Sequence, residues 1–276
     1  MTRARRSDKH WSPSLSLVTG ASSGIGAAFA RALAARGSDL VLVARREDRL
    51  RDLASELEAA HGIQCTVVAL DLSLPRPGAA LLRGLGDRLP ELVVNNAGFG
   101  IQAQVVATDP DRLAQEVAVD VAAVVDICRA FVEPMIARGS GVVLNIASTA
   151  AYQPVPGMAV YAASKAFVKL FTEALWHETR PHGVTVFAVA PGAVASEFFA
   201  DGKQIPAPTN YWEPSRIADA GLRALDRGMG RGPVGGIRVG PEVMPGFANR
   251  AAAFSTRFIP RRVLLHFSSK LAAVSG

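Results

Sequence analysis

Short apolar runs alternate along this chain with longer segments of helical periodicity. The runs are Leu15 to Thr19, Asp39 to Ala44, Gln64 to Leu70, Glu91 to Val94, Gly141 to Ala147 and Gly183 to Ala190. A strand that is apolar throughout is buried on both faces, as in a parallel sheet. Between the runs, Ala27 to Arg36, Glu47 to Ala60, Ala79 to Leu89 and about Asp111 to Ala137 read as helices, followed by one through Tyr161 that ends near Thr179, before Pro181. A further helix reaches about Arg227, and a Gly/Pro-rich connection leads to Ile237-Arg238-Val239, which would supply the last strand. This alternation predicts an α/β fold, a doubly wound parallel sheet of about seven strands with helices on both faces, and ligands beyond the carboxyl ends of the strands.

The residues that interrupt the apolar runs stand at those carboxyl ends. After the first run come Gly20, Ser22, Ser23, Gly24, Ile25 and Gly26, in a Gly-x-x-x-Gly-x-Gly spacing that opens an Ala-rich helix. Strand, glycine turn and helix in that order make a phosphate-binding unit, because the backbone comes close and the helix N-terminus offers free N–H groups to an anion. The glycines by themselves are equally a tight strand-to-helix connection. Arg45 and Arg46 follow the second run, where an Arg accommodates the 2′-phosphate of an adenosine ribose. For Arg46 a solvated arginine opening the charged helix competes with that role. Asp71, Asn95-Asn96, Ser148 and Pro191-Gly192 follow later runs.

Tyr161 and Lys165 lie four residues apart on one helix, so they share a face about one turn apart. An ammonium beside a phenol favours the phenolate and draws the Tyr pKa towards neutrality, as proton transfer near neutral pH requires. Such a pair alone is equally a packed Tyr and a solvated Lys on an amphipathic helix. The assembly of so many special residues on one rim favours the chemical reading.

Together these residues resemble the short-chain dehydrogenase/reductase family from about Leu15 to Phe199. Thr19 to Gly26 is similar to its cofactor motif, Asn95-Asn96-Ala97-Gly98 to its sheet-stabilising motif, and Tyr161 to Lys165 to its catalytic motif; Ser148 precedes Tyr161 by thirteen residues, as the family's catalytic Ser does. The resemblance implies an NAD(P)-dependent oxidoreductase that moves a hydride between NADP(H), with NAD(H) less favoured, and a ketone or secondary alcohol. It makes Tyr161 the general acid or base, Lys165 the residue that holds the nicotinamide ribose and tunes Tyr161, and Ser148 the donor to the substrate oxygen. Gly20, Ser22, Gly24 and Ile25 would line the pyrophosphate, Asp71 and Leu72 the adenine, and Asn96, Ala97 and Gly98 the ribose and bridge. Pro191, Gly192, Val194 and Ser196 would meet the carboxamide and phosphates. The family's helix Asn, which serves a proton relay to the catalytic Lys, is replaced here by Asp120.

Composition refines the picture at its edges. Two cysteines, Cys65 and Cys128, have no metal or redox spacing and suit buried thiols in a cytoplasmic protein. Much of the net charge of +6 lies at the ends, which argues against nucleic acid. Residues 1–13, with Arg3, Arg5, Arg6 and Lys9, read as a basic mobile arm, and 14–246 as the single domain. Within it, about 195–212 carries Phe198, Phe199, Ile205, Pro206, Pro208, Tyr211 and Trp212, the expected lid over an apolar substrate. Residues 247–276 place Phe254, Phe258, Leu265 and Phe267 among Arg250, Arg257, Arg261, Arg262 and Lys270. That is a basic amphipathic segment that either touches an anionic membrane surface or docks on its own protein. A homodimer or homotetramer follows from the resemblance. The rival reading is a cofactor-binding sensor or scaffold of the same fold with little turnover.

Overall fold

A computed structural model describes residues 10–195, 197–198, 211–232 and 236–273, the side chains of 267 and 269–273 excepted. Ser196, most of the expected lid and the arginines of the arm lie outside the described residues.

Seven strands form one sheet: β1 (Leu15–Thr19), β2 (Asp39–Ala44), β3 (Cys65–Ala69), β4 (Leu92–Asn95), β5 (Gly141–Ile146), β6 (Val184–Val189) and β7 (Glu242–Val243). Their order is β3-β2-β1-β4-β5-β6-β7, and every pairing is parallel. Neighbouring residues of a strand face opposite cores, as the period of two requires. Val18, Leu42, Val94 and Leu144 enter one cluster with Phe29 and Leu33 of α1 (Gly24–Ala34), Leu50 and Leu57 of α2 (Glu47–His61) and Leu222 of α7 (Pro214–Gly228). Leu17, Val41, Val93 and Val143 enter the other, with Leu81 of α3 (Pro77–Leu85), Phe131 of α5 (Ala123–Arg138) and Val168 of α6 (Ala159–Thr179). Helices thus cover both faces, which is why the strands lack polar alternation.

The long helix expected over 111–137 is interrupted. It begins as α4 (Pro110–Val117), passes through a π-helical turn at Ala118–Ala122 and continues as α5. Such turns are uncommon and cluster at functional sites. The seventh strand also differs from expectation, lying at Glu242–Val243 rather than at Ile237-Arg238-Val239. At 237–239 side chains have taken the backbone groups: the Ile237 carbonyl accepts from Thr185 Oγ1 and the Val239 carbonyl from Trp176 Nε1, each at 2.8 Å. Sheet pairing with β6 starts only at Pro241, whose carbonyl accepts from Ala188 N at 2.9 Å.

The basic C-terminal segment folds as two helices, α8 (Phe247–Ser255) and α9 (Arg261–Ala273). Pro260 precedes α9, where its missing N–H and its restriction of Ile259 prevent one continuous helix.

The switch point of the sheet lies between β1 and β4, where successive chains depart in opposite directions. Polar side chains hold it together. Thr19 Oγ1 accepts from the N–H of Asn96 and of Ala97, both at 3.0 Å, and Asn96 Nδ2 donates to the Thr19 carbonyl at 2.9 Å. Deeper in the sheet, Asn95 Nδ2 donates to Asn145 Oδ1 at 3.0 Å and Asn145 Nδ2 to Thr172 Oγ1 at 2.9 Å, tying β4, β5 and α6 into one unit.

Candidate active site

A cavity of about 460 Å³ opens on the carboxyl-end rim. Its walls are Gly20, Ser22, Ser23, Gly24 and Ile25 after β1, Arg45 and Arg46 after β2, Asp71 and Leu72 after β3, and Asn96, Ala97, Gly98 and Phe99 after β4. The turn after β1 requires glycine. Gly20 has φ +66°, and a Cβ there would stand 2.7 Å from Asn96 Nδ2 and 2.9 Å from Ala97 Cα. At Gly26 a Cβ would lie 2.2 Å from the Gly20 carbonyl oxygen. Helix α1 then starts with Ser23 in the N-cap position but without a side-chain cap, and with no acid in its first turn. Its first N–H groups are therefore left for an anion, and this cradle fits the pyrophosphate of a dinucleotide.

Arg46 is the departure on this side of the cavity. It folds back over the glycine turn, donating from Nη2 to Ser22 Oγ and Ser23 Oγ at 3.0 Å each and from Nη1 to Glu197 at 2.8 Å. Arg49 Nη1 donates to the same carboxylate at 2.8 Å. Arg46 opens α2 at its N-cap, as the alternative reading has it, and its half-exposed side chain is at the same time paired over the turn. Arg45 lines the same cavity, and two arginines bound a site that can take a phosphate. Burial opposes ionisation of Asp71, but bonds from the Ser73 N–H and hydroxyl, at 2.9 and 2.8 Å, and the nearby Arg45 charge hold its carboxyl below the usual range.

The second cluster lies where α6 meets the ends of β5 and β6. Ser148 caps the short turn after β5, accepting from Ala150 N at 3.1 Å, and its side chain hydrogen-bonds Tyr161. Pro191 lies alongside, its carbonyl accepting from Thr149 N at 2.9 Å. Gly192 faces the Asn249 side chain, which a Cβ would approach to 3.0 Å. Val194 pairs with Trp212, and the Ala195–Trp212 and Trp212–Ala193 backbone bonds, both 3.0 Å, bring residues 193–195 against Trp212.

Lys165 is buried beneath Tyr161, with Nζ 5.7 Å from the centre of the phenol ring. It donates to the Ile146 carbonyl at 3.3 Å and forms an ion pair with Asp120 at 3.1 Å. Asp120 stands in the middle of the π-helical turn, fully buried, and its Oδ1 accepts from Phe99 N at 3.0 Å. Thus Asp120, which the resemblance sets where the family has Asn, contacts Lys165 directly.

The electrostatics of this cluster depart from the sequence expectation. Burial pushes the Tyr161 phenol above its ordinary value; Lys165 and Ser148 pull it down but do not win, because Asp120 and Glu116 oppose them. The expected fall towards neutrality is not met in this structure. For Lys165 burial acts downwards, yet the charge and hydrogen bond of Asp120 outweigh it and raise its pKa, so the amine stays protonated. Burial raises Asp120 in spite of Lys165.

Sequence reasoning missed Arg49, Glu197 and Glu116, and gave Phe198 only a general place in the lid. Phe198 lines the cavity and meets Tyr161 edge to face, with ring centres 5.0 Å apart. Its carbonyl accepts from Gly100 N at 3.4 Å. Glu116, one turn before Asp120, is buried in a helix start whose neighbours Asp111, Arg112 and Gln115 read as polar surface. Its position four residues before Asp120 was the available signal.

Comparison with known proteins agrees with this geometry. The family model described as short chain dehydrogenase matches residues 15–204. The very-long-chain 3-oxoacyl-CoA reductase of Mus musculus is 31% identical over 185 residues, covering 66% of this chain and 59% of that protein, so the match spans well under two thirds of the relative's length. Among solved structures, a short-chain dehydrogenase from Sphingobium yanoikuyae in complex with NADPH has a TM-score of 0.77 and 31% identity, covering 88% of this chain and 93% of that one. The bulky-bulky ketone specific alcohol dehydrogenase from Comamonas testosteroni has a TM-score of 0.75 and 28% identity, covering 90% and 93%.

Gly98 is the tightest point of the second cluster. A Cβ there would lie 2.9 Å from Asp120 Oδ1 and 3.2 Å from both Asp120 Oδ2 and Lys165 Nζ. Gly98→Ala should therefore spread the ion pair and destabilise the fold by about 1–3 kcal/mol, the usual cost of overpacking. Urea denaturation measures it; an unchanged midpoint would mean that the pair has room to move.

Proposed function

The chain belongs to the short-chain dehydrogenase family of oxidoreductases, and from that premise we propose that it reduces a lipophilic ketone to a secondary alcohol with NADPH, which supplies the hydride. The observation that carries this reading is the convergence of Ser148, Tyr161 and Lys165 on one rim with the glycine cradle and two arginines. Gly20, Ser22, Ser23, Gly24, Ile25 and Gly26 would hold the pyrophosphate, Arg45 and Arg46 the 2′-phosphate, Asp71 and Leu72 the adenine. Asn96, Ala97 and Gly98 would run beside the adenosine ribose, Lys165 would bind the nicotinamide ribose, and Pro191, Gly192 and Val194 would flank the nicotinamide. Ser196 takes its proposed phosphate contact from the family resemblance.

Ser148 donates to the substrate oxygen, and this bond strengthens as negative charge gathers there. Tyr161 gives its proton to the same oxygen. A phenol held protonated by burial is a proton donor at neutral pH, so the site as built favours reduction over oxidation. Lys165 keeps its charge through Asp120 and steadies the tyrosinate left behind. Phe198, Phe99 and Met158 give the mouth an apolar surface, which supports a lipophilic substrate. Exposed Phe167 and Leu170 on α6, with Val117 on α4, support self-association into a homodimer or homotetramer.

We also propose peripheral contact with anionic membranes through the C-terminal helices. Phe247, Phe254 and Phe258 are 80%, 58% and 73% exposed, and no Asp or Glu follows Glu242 in the sequence. In α9, Leu264 and Ser268 are buried, so that helix docks on its own protein by one face. Exposed aromatics beside arginines complement an anionic lipid surface. No helix among the described residues is long and apolar enough to cross a membrane.

Three experiments test these readings. With a panel of lipophilic ketones, Tyr161→Phe should lower kcat by about 100- to 10,000-fold while NADPH binding, followed by fluorescence, is kept. Retained turnover would remove the assignment, and a wild-type chain that binds NADPH yet reduces nothing would be a sensor or scaffold. Arg45→Asp and Arg46→Asp should each weaken NADPH by about 10- to 100-fold, the worth of a charge-assisted bond, and leave NADH nearly unchanged; equal effects on both cofactors would mean that neither arginine reads the 2′-phosphate. For the membrane contact, the full chain should sediment with anionic vesicles and lose that binding on Phe254→Ser/Phe258→Ser substitution or truncation after Gly246. Equal binding by all three proteins would overturn it.

A further inference from the structure

Among the described residues only three acidic or basic side chains are buried, Glu116, Asp120 and Lys165, and they form one cluster. Two carboxyl groups thus share a single ammonium in a dry site. Lys165 can neutralise one of them, and Asp120 holds that place at 3.1 Å. Leaving Glu116 as a second, uncompensated charge would carry a large desolvation cost, which a buried acid avoids by keeping its proton.

The surroundings of Glu116 agree. Its Oε1 accepts from Ile101 N at 3.4 Å, while Oε2 is buried without a hydrogen-bond partner in the structure. Its charged neighbours are Arg112, one turn earlier on α4, Asp120 on the π-helical turn and Lys165 on α6; Tyr161 on α6 feels its charge in turn. Burial is the largest influence and, with Asp120, pushes the Glu116 carboxyl up to about 7 against the pull of Ile101, Lys165 and Arg112. Arg112 lines the wall of the cavity and bounds the cluster on the side of solvent.

We propose that Glu116 is the proton reservoir of the site, handing a proton through Asp120 and Lys165 to Tyr161 after each reduction. One proton and no electron pair moves along the row. The Glu116 O–H bond breaks as the Asp120 carboxylate takes the proton, Asp120 passes it to Lys165 as Lys165 gives one up, and the Tyr161 O–H bond is remade. Glu116 is left as a carboxylate and is reloaded from solvent water at the Arg112 side. Glu116 touches neither substrate nor cofactor; it is a positioning residue that acts through the Asp120–Lys165 pair. The π-helical turn brings Asp120 to Lys165, and burial of Glu116, Asp120 and Lys165 keeps the stored proton from exchanging at random.

This inference rests on the proposed reductase activity, but its first test does not. Infrared difference spectra of the unliganded protein, recorded from about pH 5 to 9 across the ordinary titration range of a buried acid, should show a protonated carboxyl band that titrates near neutrality and is absent in Glu116→Gln. Glu116→Asp, which keeps a carboxyl group, should retain a titrating band and serves as the second variant if Glu116→Gln folds poorly. No such band in the wild type, or a band untouched by Glu116→Gln, overturns the proposal whether or not a substrate is known. The second test is the pH profile of ketone reduction. Wild-type kcat should fall as pH rises through the ionisation of Glu116, because the reservoir empties. Glu116→Gln should lose that limb and turn over about tenfold more slowly at neutral pH, less than the roughly 100-fold or more lost with a group that exchanges a proton with the substrate itself, with the KM for NADPH unchanged. An unaltered profile in Glu116→Gln would reject the reservoir and leave the reductase reading intact, whereas a wild-type protein inactive towards every ketone would reject that reading and leave the infrared result to stand.

Discussion

The ion pair between Lys165 and Asp120 is closed to water on every side, and the active-site cluster is arranged around that fact. A lone ammonium in such a place would be lost to deprotonation, and a lone carboxylate would be lost to protonation. Each needs the other, and the backbone has been shaped to let them meet. The helix opens into a π turn to present Asp120, the chain after β4 supplies Gly98 because a side chain would not fit, and Phe99 offers its N–H to the carboxylate. Three separate elements are fastened by one interaction, and Tyr161 is held above it.

That arrangement alters the chemistry expected of a Tyr and a Lys one turn apart. In isolation the ammonium would pull the phenol towards ionisation. Here the ammonium still pulls the phenol down, but burial of the hydroxyl, the largest influence, prevails, with Asp120 and Glu116 on its side. The result is a tyrosine that keeps its proton beside a lysine that keeps its charge. Ser148 hydrogen-bonds that tyrosine from a turn held at the end of β6 through Pro191.

The nucleotide side of the site obeys a different constraint, close approach of backbone. Gly20 and Gly26 are needed because the turn after β1 presses against Asn96 and against itself. The arginines after β2 bring positive charge to the open end of the cradle, and Glu197 engages Arg46 and Arg49. That contact ties the chain at 197 to the wall of the cavity. Elsewhere the charge is segregated: the two ends are strongly basic, while residues 14–242 between them carry a small acidic excess. The exposed phenylalanines fall at the basic C-terminal end.

Much of this was legible from the chain alone. Continuous apolar runs announced a sheet covered on both faces, and the glycines, Asn95-Asn96, Ser148, Tyr161 and Lys165 marked its carboxyl-end rim, because short-range sterics and helical periodicity are written residue by residue. What sequence could not decide were the matters of proximity and environment. The π turn and the seventh strand at Glu242–Val243 depend on which backbone groups find partners across the fold. The bending of Arg46 onto the glycine turn, the raised Tyr161 and the burial of Glu116 depend on neighbours remote in the chain. A pKa or an ion pair belongs to a place in space, and only the tertiary structure makes the place.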